Sequence, residues 1–193
     1  MGGDFYDFKK LSSNKFAVSI ADVSGKGVPA SLLMALCQTN LRHYLTKSRK
    51  PSDVLTRLNQ ELENRIREDM FITIFLAIID TQENTLTYSR AGHEPALLSS
   101  DSKSMKVTKL EGSGMAVGMV TQDIFQEVAE DNIVEFKPGD VLLLYTDGIT
   151  ETESIESEEF GLPRLIKCLE SSHEFKPAVV NAKILENLDS FSD

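Results

Sequence analysis

Residues 15–46, KFAVSIADVSGKGVPASLLMALCQTNLRHYLT, contain a strand pattern, a glycine loop and a helix pattern in direct succession. The strand pattern alternates between large and small side chains, with Phe16, Val18 and Ile20 on one face and Ala17, Ser19 and Ala21 on the other. This two-residue period predicts a β-strand. Pro29 suits the first turn of a helix, and the apolar stripe that follows predicts a helix from Val28 to about Thr46.

Strand patterns also lie on both sides of this segment. Phe5–Leu11 is predicted to form a hairpin with the first strand, and Ser52-Asp53 is the expected cap of a second helix. Further strands are predicted at Met70–Asp80, Thr85–Ala91, Ala96–Leu98, Lys106–Leu110, Ile124–Val128, Ile133–Phe136 and, fully buried, Val141–Tyr145. Further helices are predicted at Leu162–Leu169 and Pro177–Leu188. Short turns between strands and paired helices favour an antiparallel α+β fold, and a length of 193 residues suggests a single domain.

The charge balance excludes several classes of partner. The chain has 20 Lys and Arg against 30 Asp and Glu, a net charge of −10, whereas nucleic acids and anionic membranes require a basic surface. No apolar run is long enough to span a membrane, and the N-terminus does not have the pattern of a signal peptide. Cys37 and Cys168 are far apart, which predicts reduced, buried thiols in a cytoplasmic protein.

Three aspartates stand at the ends of predicted strands and close to glycines: Asp4 follows Gly2-Gly3, Asp22 leads into Val23-Ser24-Gly25, and Asp147 leads into Gly148. Carboxylates in this position can converge, and hard oxygen ligands suit Mg²⁺ or Mn²⁺. Aspartate is also common in turns and helix caps. The residues alone leave both interpretations open.

Four motifs then occur in order: residues 2–7 (GGDFYD), 21–27 (ADVSGKG), 91–95 (AGHEP) and 145–151 (YTDGITE). Together they resemble the catalytic domain of bacterial metal-dependent protein phosphatases of the type 2C superfamily. The branch is that of the sporulation phosphatase SpoIIE and the stress-response regulator RsbU. The resemblance covers nearly the whole chain.

The resemblance implies an antiparallel β-sandwich flanked by helices, with two Mn²⁺ or Mg²⁺ ions at one end. It implies hydrolysis of phosphoserine or phosphothreonine on a protein, in the partner-switching regulation of sigma factors. Asp22 is expected to bridge the ions, the carbonyl of Val23 to bind one, Asp147 to bind the other, and Asp4 to support the cluster. The implied substrate is a phosphorylated anti-sigma-factor antagonist.

Both ends of the chain depart from the family pattern, so a fragment of a longer protein with an N-terminal sensor domain is expected. The family has a strand before Gly2 and a final strand opened by an aspartate that completes the metal site; neither Asp189 nor Asp193 has that context. The second metal position is therefore expected to be weak. The alternative function is a metal-poor module that binds an anti-sigma-factor antagonist without hydrolysis.

Three further features have two interpretations each. Lys26 is interpreted as a solvated loop residue, with a phosphate contact as the alternative, and His93 as a hydrogen-bonding strut rather than a general acid. Glu151–Glu159 is either a flap facing the substrate or a solvated acidic loop. Because the resemblance implies control through helices beside the active site, the helix from Val28 to Thr46 is expected to respond to a partner or to homodimer formation.

Overall fold

A computed structural model describes residues 2–63, 65–66, 69–100, 106–171 and 176–192. In chain order its elements are β1 (Phe5–Lys10), β2 (Lys15–Val23), α1 (Val28–Tyr44), α2 (Pro51–Leu62), β3 (Ile72–Asp80), β4 (Thr85–Ala91), β5 (Ala96–Ser100), β6 (Lys106–Leu110), α3 (Gln122–Val128), β7 (Asn132–Glu135), β8 (Val141–Leu143), α4 (Asp147–Thr150), α5 (Gly161–Glu170) and α6 (Pro177–Ser192). The strands form a five-stranded sheet in the order β1-β2-β3-β4-β7 and a three-stranded sheet in the order β6-β5-β8. Neighbouring strands pair antiparallel, which confirms the predicted α+β class.

The chain divides into two compact units. The first contains Met1–Pro95 and Glu111–Phe136, and the second contains Ala96–Leu110 and Lys137–Asp193. The prediction of one phosphatase domain over residues 1–193 concerns the functional unit and stays a prediction. Among the described residues, no helix combines the length and the hydropathy that a membrane span requires.

The core of the first unit lies on the small-residue face of β2. Ala17, Ala21 and Val23 are 2%, 0% and 1% exposed, and they belong to one cluster with Leu41 of α1 and Leu58 of α2. Small side chains on a strand allow a helix to pack close to the sheet, so the alternation in residues 15–22 determines which face the helices cover.

The core of the second unit joins α5 and α6. Both helices contribute a stripe at helical spacing: Leu165, Cys168 and Leu169 from α5, and Val180, Ile184 and Leu188 from α6. An edge-to-face contact between Phe160 and Phe191, with ring centroids 5.4 Å apart, adds to this cluster.

The predicted strand at Ile124–Val128 is wrong, because these residues belong to helix α3. Only Phe125 of this segment is buried, while Ile124 is 47% exposed, so the burial does not alternate as in a strand. Thr121 is in an extended conformation at the N-cap, and Asp123 lies in the first turn, where a carboxylate complements the helix dipole.

The fully buried strand predicted at Val141–Tyr145 is shorter and less buried than expected. β8 ends at Leu143, and Val141 and Leu142 are only half-buried. The reason is topological: β8 is an edge strand that pairs with β5 alone.

The cap predicted from Ser52-Asp53 is also wrong. Lys50 occupies the N-cap of α2 and makes no side-chain cap. The carboxylate of Asp131 accepts hydrogen bonds from the backbone N–H of Ser52 at 2.7 Å and from its hydroxyl at 2.8 Å. The acceptor lies 79 residues away in sequence, so a local sequence motif does not reveal it.

Candidate active site

Asp4 and Asp22 lie at the same end of the β1–β2 ladder. Phe5 pairs with Ala21; Asp4 directly precedes Phe5, and Asp22 directly follows Ala21. Antiparallel pairing therefore places the two carboxylates side by side at the strand ends. Asp4 is exposed and Asp22 is half-buried, so both are accessible from solvent.

Gly3 packs directly against the backbone of Val23. A Cβ atom at Gly3 would lie 2.7 Å from the carbonyl oxygen of Val23 and 2.8 Å from its Cβ atom. Glycine is thus the residue that permits this approach. It leaves the Val23 carbonyl at the same strand end as Asp4 and Asp22.

The loop after β2 is fixed at one end and turns sharply at the other. Ser24 donates its backbone N–H to the carbonyl of Phe71 at 3.0 Å, and Phe71 donates its N–H to the Ser24 hydroxyl at 2.7 Å. Gly25 and Gly27 have φ values of +90° and +79°, in the left-handed region. Lys26, between them, is exposed, which agrees with its interpretation as a solvated loop residue.

His93 is buried beside β3. Its side chain is 3% exposed, and its Nδ1 atom lies 2.8 Å from the hydroxyl of Thr73. Gly92 precedes it with φ +70°, and a Cβ atom there would lie 3.0 Å from the backbone nitrogen of Ala116. The contact with Thr73 agrees with the strut interpretation.

Thr73 was missed by the sequence analysis. The β2–β3 register pairs it directly with Asp22. Its sequence signal is weak: a single hydroxyl residue near the start of the apolar run ITIFLAIID of Ile72–Asp80.

In the second unit, Asp147 is the exposed first residue of α4. The acidic segment after it forms a closed turn, since Glu153 and Glu159 form a β-bridge and Ser154 donates its N–H to the carbonyl of Glu158 at 2.9 Å. The Glu158 carboxylate pairs with Arg164 at 3.2 Å.

Within the described residues, no group of three or more His, Cys, Asp or Glu side chains is close enough together to hold a metal ion. Asp189 lies within α6, and Asp193 and Met1 lie outside the described residues. The donors at the β1–β2 end, two carboxylates and a backbone carbonyl, are nonetheless the hard oxygen atoms that Mg²⁺ and Mn²⁺ prefer. The donor chemistry therefore fits such ions.

Comparison with known proteins gives consistent results. The family profile described as "Stage II sporulation protein E (SpoIIE)" matches residues 12–193. "Phosphoserine phosphatase RsbU" of Bacillus subtilis is 34% identical over 169 residues, which cover 86% of this chain and 49% of RsbU. The chain thus spans about half the length of this relative.

Solved structures show the same fold. The SiaA-PP2C domain of Pseudomonas aeruginosa has a TM-score of 0.83 at 21% identity, and the match covers 99% of this chain and 74% of that one. RsbX in complex with magnesium has a TM-score of 0.70 at 16% identity, with 100% of this chain and 81% of that chain covered. The expectation of a type 2C-like phosphatase fold is thereby confirmed.

Proposed function

Because the chain belongs to the SpoIIE family, whose profile matches residues 12–193, we propose that it is a metal-dependent protein serine/threonine phosphatase domain. The observation that carries this proposal is the strand end where Asp4, Asp22 and the carbonyl of Val23 lie together, with Gly3 packed against that carbonyl. The name of RsbU, a phosphoserine phosphatase, supports the same activity.

The proposed ligands come from the motif positions. Asp22 would hold both ions, the Val23 carbonyl would bind one, Asp147 would bind the other, and Asp4 would support the cluster directly or through water. The chemistry gained on binding Mn²⁺ or Mg²⁺ is the acidification of water and the neutralisation of phosphate charge. The magnesium complex of RsbX supports this choice of ion. Lys26 is exposed in the loop after Asp22, and a contact with phosphate remains its alternative role.

The proposed substrate is a phosphorylated protein of the anti-sigma-factor antagonist type. Hydrolysis releases inorganic phosphate and the free serine or threonine hydroxyl. The net charge of −10 argues against nucleic acid as a partner. A cytoplasmic location, an N-terminal sensor domain and a homodimer belong to the same proposal. A partner surface is available on α1, where Val28 and Leu32 are 69% and 67% exposed.

The test is phosphate release from a phosphoserine protein in the presence of Mn²⁺, for the natural sequence and for Asp22→Asn. We expect the substitution to abolish most activity, because the carboxylate that holds both ions loses its charge. The fold should persist, since removing one acid from a cluster relieves repulsion in the metal-free protein.

Asp123→Asn is the matched control, because it makes the same change at an exposed position in α3; its activity should equal that of the natural sequence. Full Mn²⁺-dependent activity in Asp22→Asn would contradict the assignment. Binding of a phosphorylated antagonist without phosphate release would instead favour the metal-poor binding module.

A further inference from the structure

Four polar residues line up across the end of the five-stranded sheet. Asp22 pairs with Thr73 on one side, and on the other side Asp4 lies one residue beyond the Phe5–Ala21 pair. Directly opposed residues in antiparallel strands project to the same face, with Cβ atoms about 4.5–5.5 Å apart. The Thr73 hydroxyl is therefore on the same face as the Asp22 carboxylate, and His93 contacts that hydroxyl at 2.8 Å.

The backbone holds His93 in place. Gly92, the residue before it, forms an isolated bridge with Ile74 and packs against Ala116. The imidazole is 3% exposed. The neighbouring backbone is thus fixed, and the buried ring has its Nδ1 atom within hydrogen-bond distance of the Thr73 hydroxyl.

The direction of the hydrogen bond between His93 and Thr73 determines whether the Thr73 hydroxyl presents a proton or only lone pairs to the Asp22 carboxylate. If Nδ1 accepts, the single hydroxyl proton of Thr73 points to the imidazole, and only lone pairs remain to face the carboxylate. If Nδ1–H donates, the hydroxyl proton is free to point to Asp22. A hydrogen bond to an ionised carboxylate is the more favourable outcome.

We propose that His93 is a positioning residue: its Nδ1–H donates to Thr73, and Thr73 in turn donates to Asp22 and orients this carboxylate for metal binding. The inference rests on the proposed function, since it assigns the Asp22 carboxylate to a metal. His93 itself does not touch the substrate in this arrangement.

The first test needs no metal and no activity. Imidazole ¹⁵N chemical shifts distinguish the two neutral tautomers, and His93→Asn identifies the signal of His93 among the 3 histidines. We expect the proton on Nδ1 in the metal-free protein. A proton on Nε2, with Nδ1 as the acceptor, would overturn the proposal whether or not the protein is a phosphatase.

The second test measures Mn²⁺ affinity by calorimetry. Thr73→Val removes the hydroxyl at nearly constant volume, and loss of such a supporting hydrogen bond weakens metal binding roughly 10- to 100-fold. Thr73→Ser keeps the hydroxyl and should retain the affinity. His93→Leu should behave as Thr73→Val, whereas His93→Asn restores a donor amide near the Nδ1 position and should recover part of the affinity.

Ser89→Ala is the matched control. Ser89 lies in β4, and its hydroxyl is buried without a hydrogen-bond partner in the described part of the chain, so its removal should leave Mn²⁺ affinity unchanged. Activity of Thr73→Val should recover at saturating Mn²⁺, because the reacting groups are intact. Unchanged affinity in a folded Thr73→Val, or a loss of activity that saturating Mn²⁺ does not recover, would contradict the positioning role.

Measurements on the natural sequence distinguish failure of the proposed function from failure of the role proposed for His93. If it binds Mn²⁺ but releases no phosphate, the proposed function fails, and the tautomer and affinity tests still judge the role of His93. If it is an active phosphatase and Thr73→Val binds Mn²⁺ equally well, only the role of His93 fails.

Discussion

Gly2 and Gly3 are neighbours in the chain, but their surroundings differ. A Cβ atom at Gly3 would lie 2.7 Å from the Val23 carbonyl oxygen, whereas one at Gly2 would meet only the backbone nitrogen of Asp4, at 3.9 Å. We expect Gly3→Ala to separate the ends of β1 and β2 and to lower the free energy of unfolding by about 1–3 kcal/mol, the usual cost of overpacking.

Urea denaturation measures the loss in Gly3→Ala, and Gly2→Ala is the matched control, with a change within about 0.5 kcal/mol. Gly3→Ala should also weaken Mn²⁺ binding, because the Val23 carbonyl is displaced. If both variants are equally stable, the close approach of Gly3 to Val23 does not constrain this strand end.

The two cysteines show what residue spacing in the sequence can predict. Cys37 and Cys168 are 0% and 5% exposed, and burial raises the pKa of the Cys37 thiol to about 12. Burial likewise raises the pKa of the Cys168 thiol. Both thiols are therefore protonated near neutral pH, and the prediction that both are buried is confirmed.

At the scale of elements, the hydrophobic periodicity of the sequence correctly predicts the strands that bury side chains in the core. The alternation in Lys15–Val23 and the apolar run of Ile72–Asp80 identify β2 and β3 because both strands bury side chains against neighbours. Ile124–Val128 is misassigned because one buried residue, Phe125, leaves no periodic pattern. Short elements at the periphery depend on capping residues and packing neighbours from distant parts of the chain. A local sequence pattern therefore does not predict them.

Helix α2 depends on a residue from a distant segment. Asp131 accepts from the N–H and the hydroxyl of Ser52 in its first turn. We expect Asp131→Ala to lower the free energy of unfolding by about 0.5–2 kcal/mol, the usual effect of losing a helix cap, as measured by chemical denaturation. Asp53→Ala removes an exposed carboxylate from the same turn and should cost about 0.3–1 kcal/mol through the helix dipole, together with the hydrogen bond that this carboxylate accepts from the Ser48 hydroxyl at 3.2 Å. A loss in Asp131→Ala no larger than that in Asp53→Ala would contradict the special role of Asp131 in anchoring α2.

The second anchor of α2 is Asn59, which is fully buried. Its Oδ1 atom accepts from the N–H of Gly118 at 2.9 Å, and its amide donates to Gln122 at 3.2 Å. Helix α2 is thus tied to the rest of its unit near both ends, whereas α1 presents apolar side chains to solvent. This contrast supports α1 as the helix that meets a partner.

At the scale of the whole molecule, the sequence motifs and the structure contribute different parts of the site. The register of β1, β2 and β3 accounts for the grouping of Asp4, Asp22 and Thr73 within the first unit. Asp147 belongs to the second unit, and the motif alone connects it with the others. Asp4 and Asp22 could be predicted because each lies at a strand end, Asp4 directly after Gly3 and Asp22 three residues before Gly25, whereas Thr73 depends on pairing between distant segments.

Metal stoichiometry tests the complete set of proposed ligands. As proposed ligands, Asp4, Asp22 and Asp147 would supply a formal charge of about −3, enough to attract one divalent ion to oxygen ligands. A second ion adds repulsion between cations, and at close range a fourth carboxylate would be needed to offset it. We expect calorimetry to show one tight Mn²⁺ site, a second site filled only at millimolar Mn²⁺, and phosphate release that rises with the second. Asp22→Asn should weaken both sites, whereas Asp123→Asn should change neither. Two equally tight sites would require another ligand; Asp7 would first have to leave its ion pair with Arg42, at 3.1 Å, and Asp189 would have to bind from helix α6.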